Sequence, residues 1–125
     1  MVVVISDKIS YLAGFFDGQG LVNYNFNKDE KSRTKFYVVF YQSGHGKEVR
    51  KIAEIIEKLG IKVSVYKLKR SKGKLKEYQI CITNRRDSEK FLKMILPYLV
   101  LKKNYVEEAL REFNAYKMSV KRKLV

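Results

Sequence analysis

The segment YLAGFFDGQG at residues 11–20 is the part of the chain that decides the fold. Apolar residues recur at helical spacing through this segment and just before it, so we predict a helix that begins at Lys8. Either Ser6 or Asp7 can serve as its N-cap. The apolar stripe of this helix, which we expect to face the core, consists of Ile9, Leu12, Phe15 and Phe16.

The same segment carries small residues on what we predict to be the other side of the helix. They form two i,i+4 pairs, Ala13 with Asp17 and Gly14 with Gly18. Because small side chains allow a second helix to approach closely, we expect a helix–helix contact along this stripe. The segment occurs only once in the sequence, so a two-fold contact between such helices requires two chains.

After this helix the apolar period changes from helical to alternating, which predicts two antiparallel hairpins. The first hairpin uses residues 21–27 and 34–42. The second uses residues 62–70 and 77–83, joined by a turn at residues 71–74. An αββ unit therefore occurs twice, which predicts one four-stranded antiparallel sheet with its helices on a single face.

Three further helices complete the predicted order. One lies between the hairpins and ends at Gly60, because glycine accepts the left-handed conformation that commonly follows a helix. A short helix capped by Asp87 or Ser88 is stopped by Pro97, which lacks an amide donor. The last helix covers residues 103–116. The predicted fold is α+β with the order αββαββαα.

The sheet face that points away from the helices is predicted to carry amides, lysines and tyrosines, with Cys81 on the same side. Such side chains can pair with the edges of bases in a DNA groove. Alternatively, these polar side chains only keep the outer face of the sheet solvated. The lack of opposite charges paired across the strands argues against this alternative. The candidate DNA-binding residues are Asn23, Asn25, Asn27, Lys35, Tyr37, Tyr41, Lys67, Lys69, Glu77, Gln79 and Thr83.

The composition indicates a single domain, residues 1–125, whose basic end at residues 117–125 we expect to fray. The formal charge of +14, from 27 Lys and Arg against 13 Asp and Glu, favours a polyanionic partner, either nucleic acid or an anionic membrane surface. Charge that serves solubility alone is the alternative. No signal-type segment or membrane-length apolar run occurs, so we expect a soluble intracellular protein, cytoplasmic or organellar, with no membrane partner.

Several classes of site are excluded by residue counts and missing motifs. One cysteine, Cys81, and one histidine, His45, leave no internal disulfide and no Cys/His zinc cluster. The sequence contains no phosphate-binding loop, nucleophile elbow or zinc-protease helix. The two glycines around Gln19 lack the third glycine and the preceding strand of a dinucleotide-binding fingerprint.

The segment LAGFFDGQG at residues 12–20 resembles the nine-residue motif of the LAGLIDADG homing endonucleases and differs mainly at the eighth position. The resemblance extends through the two hairpins to LPYLVLKK at residues 96–103. It implies a homodimer whose motif helices pack at the two-fold axis, and a sheet in each subunit that lies along the major groove of double-stranded DNA. A symmetric dimer implies a long, roughly palindromic target.

The resemblance also implies site-specific hydrolysis of both DNA strands, typical of intron-encoded endonucleases. In the family, an acidic residue at the eighth motif position and a neighbouring backbone carbonyl bind Mg²⁺. Gln19 and the carbonyl of Gly18 occupy these positions, and Lys102 matches a basic residue near the active-site water. A further polar residue after the second strand has its counterpart in Gln42, Ser43 or His45.

Gln19 is the main departure from the family pattern. Mg²⁺ favours carboxylate oxygens, whereas an amide oxygen supplies a dipole without negative charge. Asp17 cannot replace it, because positions two apart on a helix point about 200° away from one another. We therefore predict weakened Mg²⁺ binding and impaired cleavage.

Two functions without cleavage compete with the endonuclease. Some members of the family assist splicing of the intron that encodes them, so an RNA-binding maturase is one alternative. A basic ribosomal or general RNA-binding protein is the other, in which Tyr37 and Tyr41 would stack on unpaired bases.

Overall fold

The computed structural model describes residues 5–26, 34–68 and 76–123. These residues contain four helices, four strands and a short 3-10 helix, Leu96–Tyr98, in the predicted order αββαββαα, which is confirmed. The helices are α1 (Ile5–Gln19), α2 (Gly46–Glu57), α3 (Arg85–Ile95) and α4 (Lys103–Lys123), and the strands are β1 (Gly20–Asn25), β2 (Lys35–Gly44), β3 (Ser64–Lys67) and β4 (Lys76–Ile82).

The four strands form one antiparallel sheet in the order β1-β2-β4-β3. The alternating apolar residues of β1, β2 and β4 point to the helices, and the residues between them line the opposite face, which we call the outer face. The helix-facing residues include Val22, Phe36, Val38, Phe40, Ile80 and Ile82, all buried in one core with α1, α3 and α4. The predicted α+β architecture, with helices on one face of the sheet, is confirmed.

Aromatic rings connect the sheet to the helices at two points. The ring of Phe40 meets those of Phe16 on α1 and Phe91 on α3, each edge-on with centroids 5.8 Å apart. The ring of Phe36 lies parallel to that of Phe113 on α4 at 4.2 Å. Offset and edge-on pairs contribute beyond the area they bury, so these contacts fix how α1, α3 and α4 sit on the sheet.

The edge strand β1 is covered by α4. The hydroxyl of Tyr105 donates to the Val22 carbonyl at 2.8 Å and accepts from the Val22 amide at 2.9 Å. An exposed strand edge offers unpaired amides and carbonyls to other chains. Tyr105 satisfies one such pair and ties α4 to the sheet.

Several predicted helix boundaries differ from the structure. α1 begins at Ile5 rather than Lys8. The N-cap of α3 is Asn84, whose side chain accepts from the amides of Arg86 and Asp87, so the predicted caps Asp87 and Ser88 are wrong. Both have other partners: the Asp87 carboxylate accepts from the Lys62 amide, and the buried Ser88 hydroxyl donates to the Ile82 carbonyl. Gly60 has a φ of +82°, the left-handed conformation that was predicted, but α2 ends at Glu57, three residues before it.

The predicted fraying from residue 117 is wrong over the described residues, because α4 continues to Lys123. Lys117 donates to the Glu89 carboxylate at 2.6 Å and lies 4.8 Å from the centre of the Phe113 ring. Burial raises the pKa of Glu89, but the bond from Lys117, assisted by the charge of Lys93, outweighs it and leaves this pKa lowered. This contact with α3 holds the last turns of α4. Residues 124–125, the predicted turn at 71–74 and the segment 28–33 between the first two predicted strands lie outside the described residues.

Candidate nucleic-acid interface and motif helix

The outer face of β1 and β2 carries a polar pair at two successive positions. Asn23 lies opposite Tyr37, and Asn25 lies opposite Lys35. The Asn23 amide nitrogen donates to the Tyr37 hydroxyl at 2.6 Å. These four predicted residues therefore share one face, and all four reach solvent at least in part.

A second set crosses three strands of the outer face. Tyr41 on β2 lies opposite Gln79 on β4, which in turn lies opposite Tyr66 on β3. Tyr41 and Tyr66 are 45% and 52% exposed. Tyr66 was missed by the sequence analysis, although the apolar Val65 beside it was a signal that Tyr66 points outward.

Lys67 is a correction to the predicted interface. It pairs with Tyr78, which packs against the core, so Lys67 is on the helix side of the sheet edge rather than on the outer face. The alternation in β3 places Val65 inward, and Lys67, two residues later, must follow it.

Glu77 and Thr83 complete the predicted set on β4. Glu77 lies opposite Ser43 on the outer face, and Thr83 directly follows the strand; both are exposed. The remaining two predicted residues, Asn27 and Lys69, lie outside the described residues.

The centre of the outer face is apolar and buried. Val39 and Cys81 lie opposite one another and are only 1% and 4% exposed, so Cys81 points outward as predicted but is not accessible. Burial raises the pKa of the Cys81 thiol, and a hydrogen bond with Gln79 offsets this only in part. The polar side chains thus surround a packed centre, which differs from an evenly solvated sheet face.

On α1, the small-residue stripe divides between the core and the surface. Ala13 is fully buried within the chain, which corrects its predicted position opposite the apolar stripe. Gly14 and Gly18 are exposed, and a Cβ at either glycine would meet no atom within 4 Å. The open part of the stripe is therefore the two glycines, with Tyr11 exposed beside them on the same helix.

Asp17 joins the end of α1 to the start of α4. Its carboxylate accepts from the backbone amides of Val100 at 2.8 Å, Leu101 at 3.1 Å and Lys102 at 2.9 Å. Three amides from one short segment engage both carboxylate oxygens. Asp17 is therefore a structural acceptor in this chain.

Lys102 extends the same connection. Its ammonium group donates to the Gly20 carbonyl and lies 5.6 Å from the centre of the Phe16 ring. The structure thus places Lys102 beside the end of the motif, close to Gln19, and it is partly buried.

The sequence profile described as a LAGLIDADG-like domain matches residues 6–96, which is most of the chain. The chain belongs to the LAGLIDADG family. A search of curated proteins finds no sequence relative.

Solved structures of homing endonucleases share the fold. The homing endonuclease I-CvuI, bound to its target in 2 mM Ca, gives a TM-score of 0.68 at 23% identity, over 86% of this chain and 66% of the other. I-CvuI bound to the I-CreI target in 2 mM Mg, with the DNA not cleaved, gives 0.62 at 22%, over the same shares. The archaeal intron-encoded I-Vdi141I complexed with DNA gives 0.54 at 21%, over 82% and 64%.

The present chain spans slightly less than two thirds of the length of these homing endonucleases. At such identities the similarity establishes the fold, including the four-stranded sheet with its helices. The predicted homing-endonuclease-like fold is thereby confirmed.

At the position where the family resemblance implies Mg²⁺, the residues present offer no carboxylate and do not fit this ion. Gln19, at the eighth motif position, is exposed and contributes only an amide oxygen, next to the Gly18 carbonyl. Asp17, the carboxylate nearest in sequence, already accepts three backbone amides. Within residues 5–26, 34–68 and 76–123, no three His, Cys, Asp or Glu side chains come together to hold a metal ion.

The three candidates for the polar residue after the second strand lie in different environments. The Gln42 side chain donates to the Ser43 carbonyl at 2.8 Å, and Ser43 is exposed on the outer face. His45 is exposed at the N-terminal end of α2.

In the described part of the chain, no helix has the length and apolarity needed to cross a membrane.

Proposed function

We propose that this LAGLIDADG chain binds double-stranded DNA site-specifically as a homodimer, on an endonuclease scaffold whose cleavage is disabled at Gln19. The observation that carries the proposal is the outer face, where amides and tyrosines surround a buried centre. Asn and Gln side chains offer a donor and an acceptor together, which suits the edge of adenine in the major groove. The rigid sheet beneath them would hold these groups in register with the DNA.

Charge supports a phosphate-rich partner. The chain carries +14, while the outer face has only one described lysine among the predicted contacts, Lys35. The two hairpin connections, residues 28–33 and 69–75, contain seven Lys or Arg in the sequence. Phosphate contacts position a protein on DNA and base contacts specify the site, so we assign the first role to these connections and the second to the sheet.

Dimerisation is supported by the open stripe on α1. Gly14 and Gly18 leave the helix backbone accessible, which allows a second helix to approach closely. Val100 and Leu101 are 82% and 79% exposed and are fixed to the end of α1 through Asp17. An apolar pair this exposed beside a glycine stripe is consistent with a surface covered by a second copy of the chain.

Loss of cleavage follows from the groups at the end of α1. Two scissile phosphates place negative charge where the metal must bind, and a neutral amide does not offset it. In a homodimer, both active sites carry the same substitution. Lys102 retains a role in holding the end of the motif through the Gly20 carbonyl, independent of any metal.

The proposal is tested by selecting binding sites from randomised duplex DNA and then assaying cleavage of the selected site. We expect a long, pseudo-palindromic consensus that is bound but not cut in Mg²⁺. Gln19→Asp is expected to restore cutting of that site, and Gln19→Ala serves as a matched control that should bind without cutting. Efficient cutting by the unaltered chain would show that Gln19 does not disable it.

A second candidate is an RNA-binding maturase of the same family, favoured by the exposed rings of Tyr41 and Tyr66. Unpaired bases of RNA stack on such rings. Competition between the selected duplex and a structured intron RNA, at one stated salt concentration, separates the two functions. Displacement of the duplex by a small excess of RNA would favour the maturase.

A further inference from the structure

Tyr37 and Asn23 form a pair on the outer face that can select one base. They lie directly opposite one another in the β1–β2 register, and the Asn23 amide nitrogen donates to the Tyr37 hydroxyl at 2.6 Å. Directly opposite residues on one face of an antiparallel pair are the closest side-chain neighbours that a sheet provides. The Tyr37 hydroxyl therefore restrains the Asn23 side chain.

The hydrogen bond to Tyr37 changes which donors and acceptors of the Asn23 side chain remain available to a base. A side-chain amide has two N–H donors and one carbonyl oxygen. Once Tyr37 takes one hydrogen, a single donor and an acceptor remain. Adenine presents this complement in the major groove, with N7 as acceptor and the N6 amino group as donor, whereas guanine presents two acceptors, N7 and O6. An unrestrained asparagine could turn both hydrogens toward guanine, but this one cannot without breaking its bond to Tyr37.

We propose that Asn23 recognises adenine and that Tyr37 is the positioning residue that excludes guanine at that base pair. The inference rests on the proposed binding of duplex DNA. In a homodimer the pair occurs twice, so adenine is expected at two symmetry-related positions, on opposite strands of the target.

The expected effects follow from the value of a bidentate base contact and of a single hydrogen bond. Asn23 should prefer adenine over the other bases by roughly 5- to 150-fold, and Asn23→Ala should remove this preference. Tyr37→Phe, which deletes only the hydroxyl, should reduce the preference for adenine over guanine at the same base pair by roughly 2- to 12-fold. Asn23→Asp, which can only accept, should shift the preference toward cytosine.

The experiment compares selections from randomised duplex DNA for the unaltered chain, Asn23→Ala, Asn23→Asp, Tyr37→Phe and a control, Tyr66→Phe. The control deletes a hydroxyl from the same face on β3, far from the Asn23 pair in the sheet order. Base preferences at each position are the readout, because a purely structural role for Tyr37 would weaken binding to all sites alike. Asn23→Ala identifies the base pair that Asn23 contacts. At that base pair we expect Tyr37→Phe, and not Tyr66→Phe, to reduce the preference for adenine over guanine.

The outcomes separate this inference from the function on which it rests. If the unaltered chain yields no consensus, the proposed DNA binding fails and the inference fails with it. If a consensus appears but Asn23→Ala changes no adenine position, the recognition by Asn23 is wrong while DNA binding stands. If Asn23→Ala removes adenine and Tyr37→Phe leaves the adenine-to-guanine ratio unchanged, the positioning role of Tyr37 is refuted.

Discussion

Replacement of Asp17 tests how the end of the motif helix is fixed to the start of α4. The carboxylate accepts from three backbone amides, at 2.8, 3.1 and 2.9 Å. A hydrogen bond contributes about 0.5–1.5 kcal/mol net, and these donors are partly or fully accessible to water once released. Asp17→Ala removes all three acceptor contacts, so we expect it to lower the free energy of unfolding by about 2–4 kcal/mol.

Asp17→Asn is a milder replacement at the same position than Asp17→Ala. The side-chain oxygen of the asparagine can still accept from one or two of the backbone amides. Its NH₂ group, however, is placed against another backbone N–H donor, and the negative charge is lost. We expect about 1–2 kcal/mol of destabilisation, the scale of losing a helix cap. Urea unfolding followed by far-UV circular dichroism measures both variants, at one fixed chain concentration because dimerisation would add to stability.

Glu54→Ala is the matched control for these two variants. Glu54 is an exposed acidic residue within α2, so its loss should change the free energy of unfolding by no more than about 0.5 kcal/mol. If Asp17→Ala were no more destabilising than this control, the three amide contacts would not hold the two helices together.

Three further replacements test other parts of the fold and the assembly. Gly20→Ala should destabilise the chain by about 1–3 kcal/mol, measured by urea unfolding, because its Cβ would overlap the ring of Phe16. Glu89→Gln should cost about 0.5–1 kcal/mol at neutral pH. Because the pKa of Glu89 is lowered in the folded chain, this contribution is present above the unfolded pKa and disappears as pH falls through the folded value. Gly14→Arg should convert the proposed dimer to a monomer in light scattering, since it places a long charged side chain on the open stripe.

Each of the three has its own control. Ser43→Ala, at an exposed strand position, should have the same free energy of unfolding as the unaltered chain. If Gly20→Ala changed this free energy as little as Ser43→Ala, the close contact between Gly20 and Phe16 would be ruled out. Lys93, 62% exposed and 3.6 Å from Glu89, should contribute less than Lys117, so a larger cost for Lys93→Met than for Lys117→Met would contradict the contact that holds α4. Glu54→Arg places the same side chain on an exposed position of α2 and should leave the proposed dimer intact.

The element order was predictable from sequence because the periods of helix and strand differ, and β2 shows why. Phe36, Val38 and Phe40 alternate cleanly along the strand, and the structure buries all three toward the helices. The local signal and the tertiary environment agree there. The outward position of Asn23, Tyr37 and Gln79 follows from the same alternation.

The errors arose where long-range contacts decide the structure. Lys67 in β3 is the exception, because the inward-facing Val65 two residues earlier already places it on the helix side of the sheet, opposite Tyr78. The length of α4 depends on the ion pair between Lys117 and Glu89 on another helix. The burial of Ala13 depends on how far around α1 the core extends, which a small side chain does not reveal.

The role of Asp17 lay beyond sequence reasoning for the same reason. Its three partners are 83 to 85 positions away in the chain. Helical geometry alone indicated that Asp17 could not take the place of Gln19, but only the fold shows that its carboxylate is already occupied.

The most direct test of the central claim is the mass of the complex formed on a selected duplex, measured by light scattering or native mass spectrometry. A site-specific homodimer predicts one duplex carrying two chains of 14.7 kDa each. A complex of one chain per duplex, or binding that stays non-specific and is lost uniformly with added salt, would contradict it.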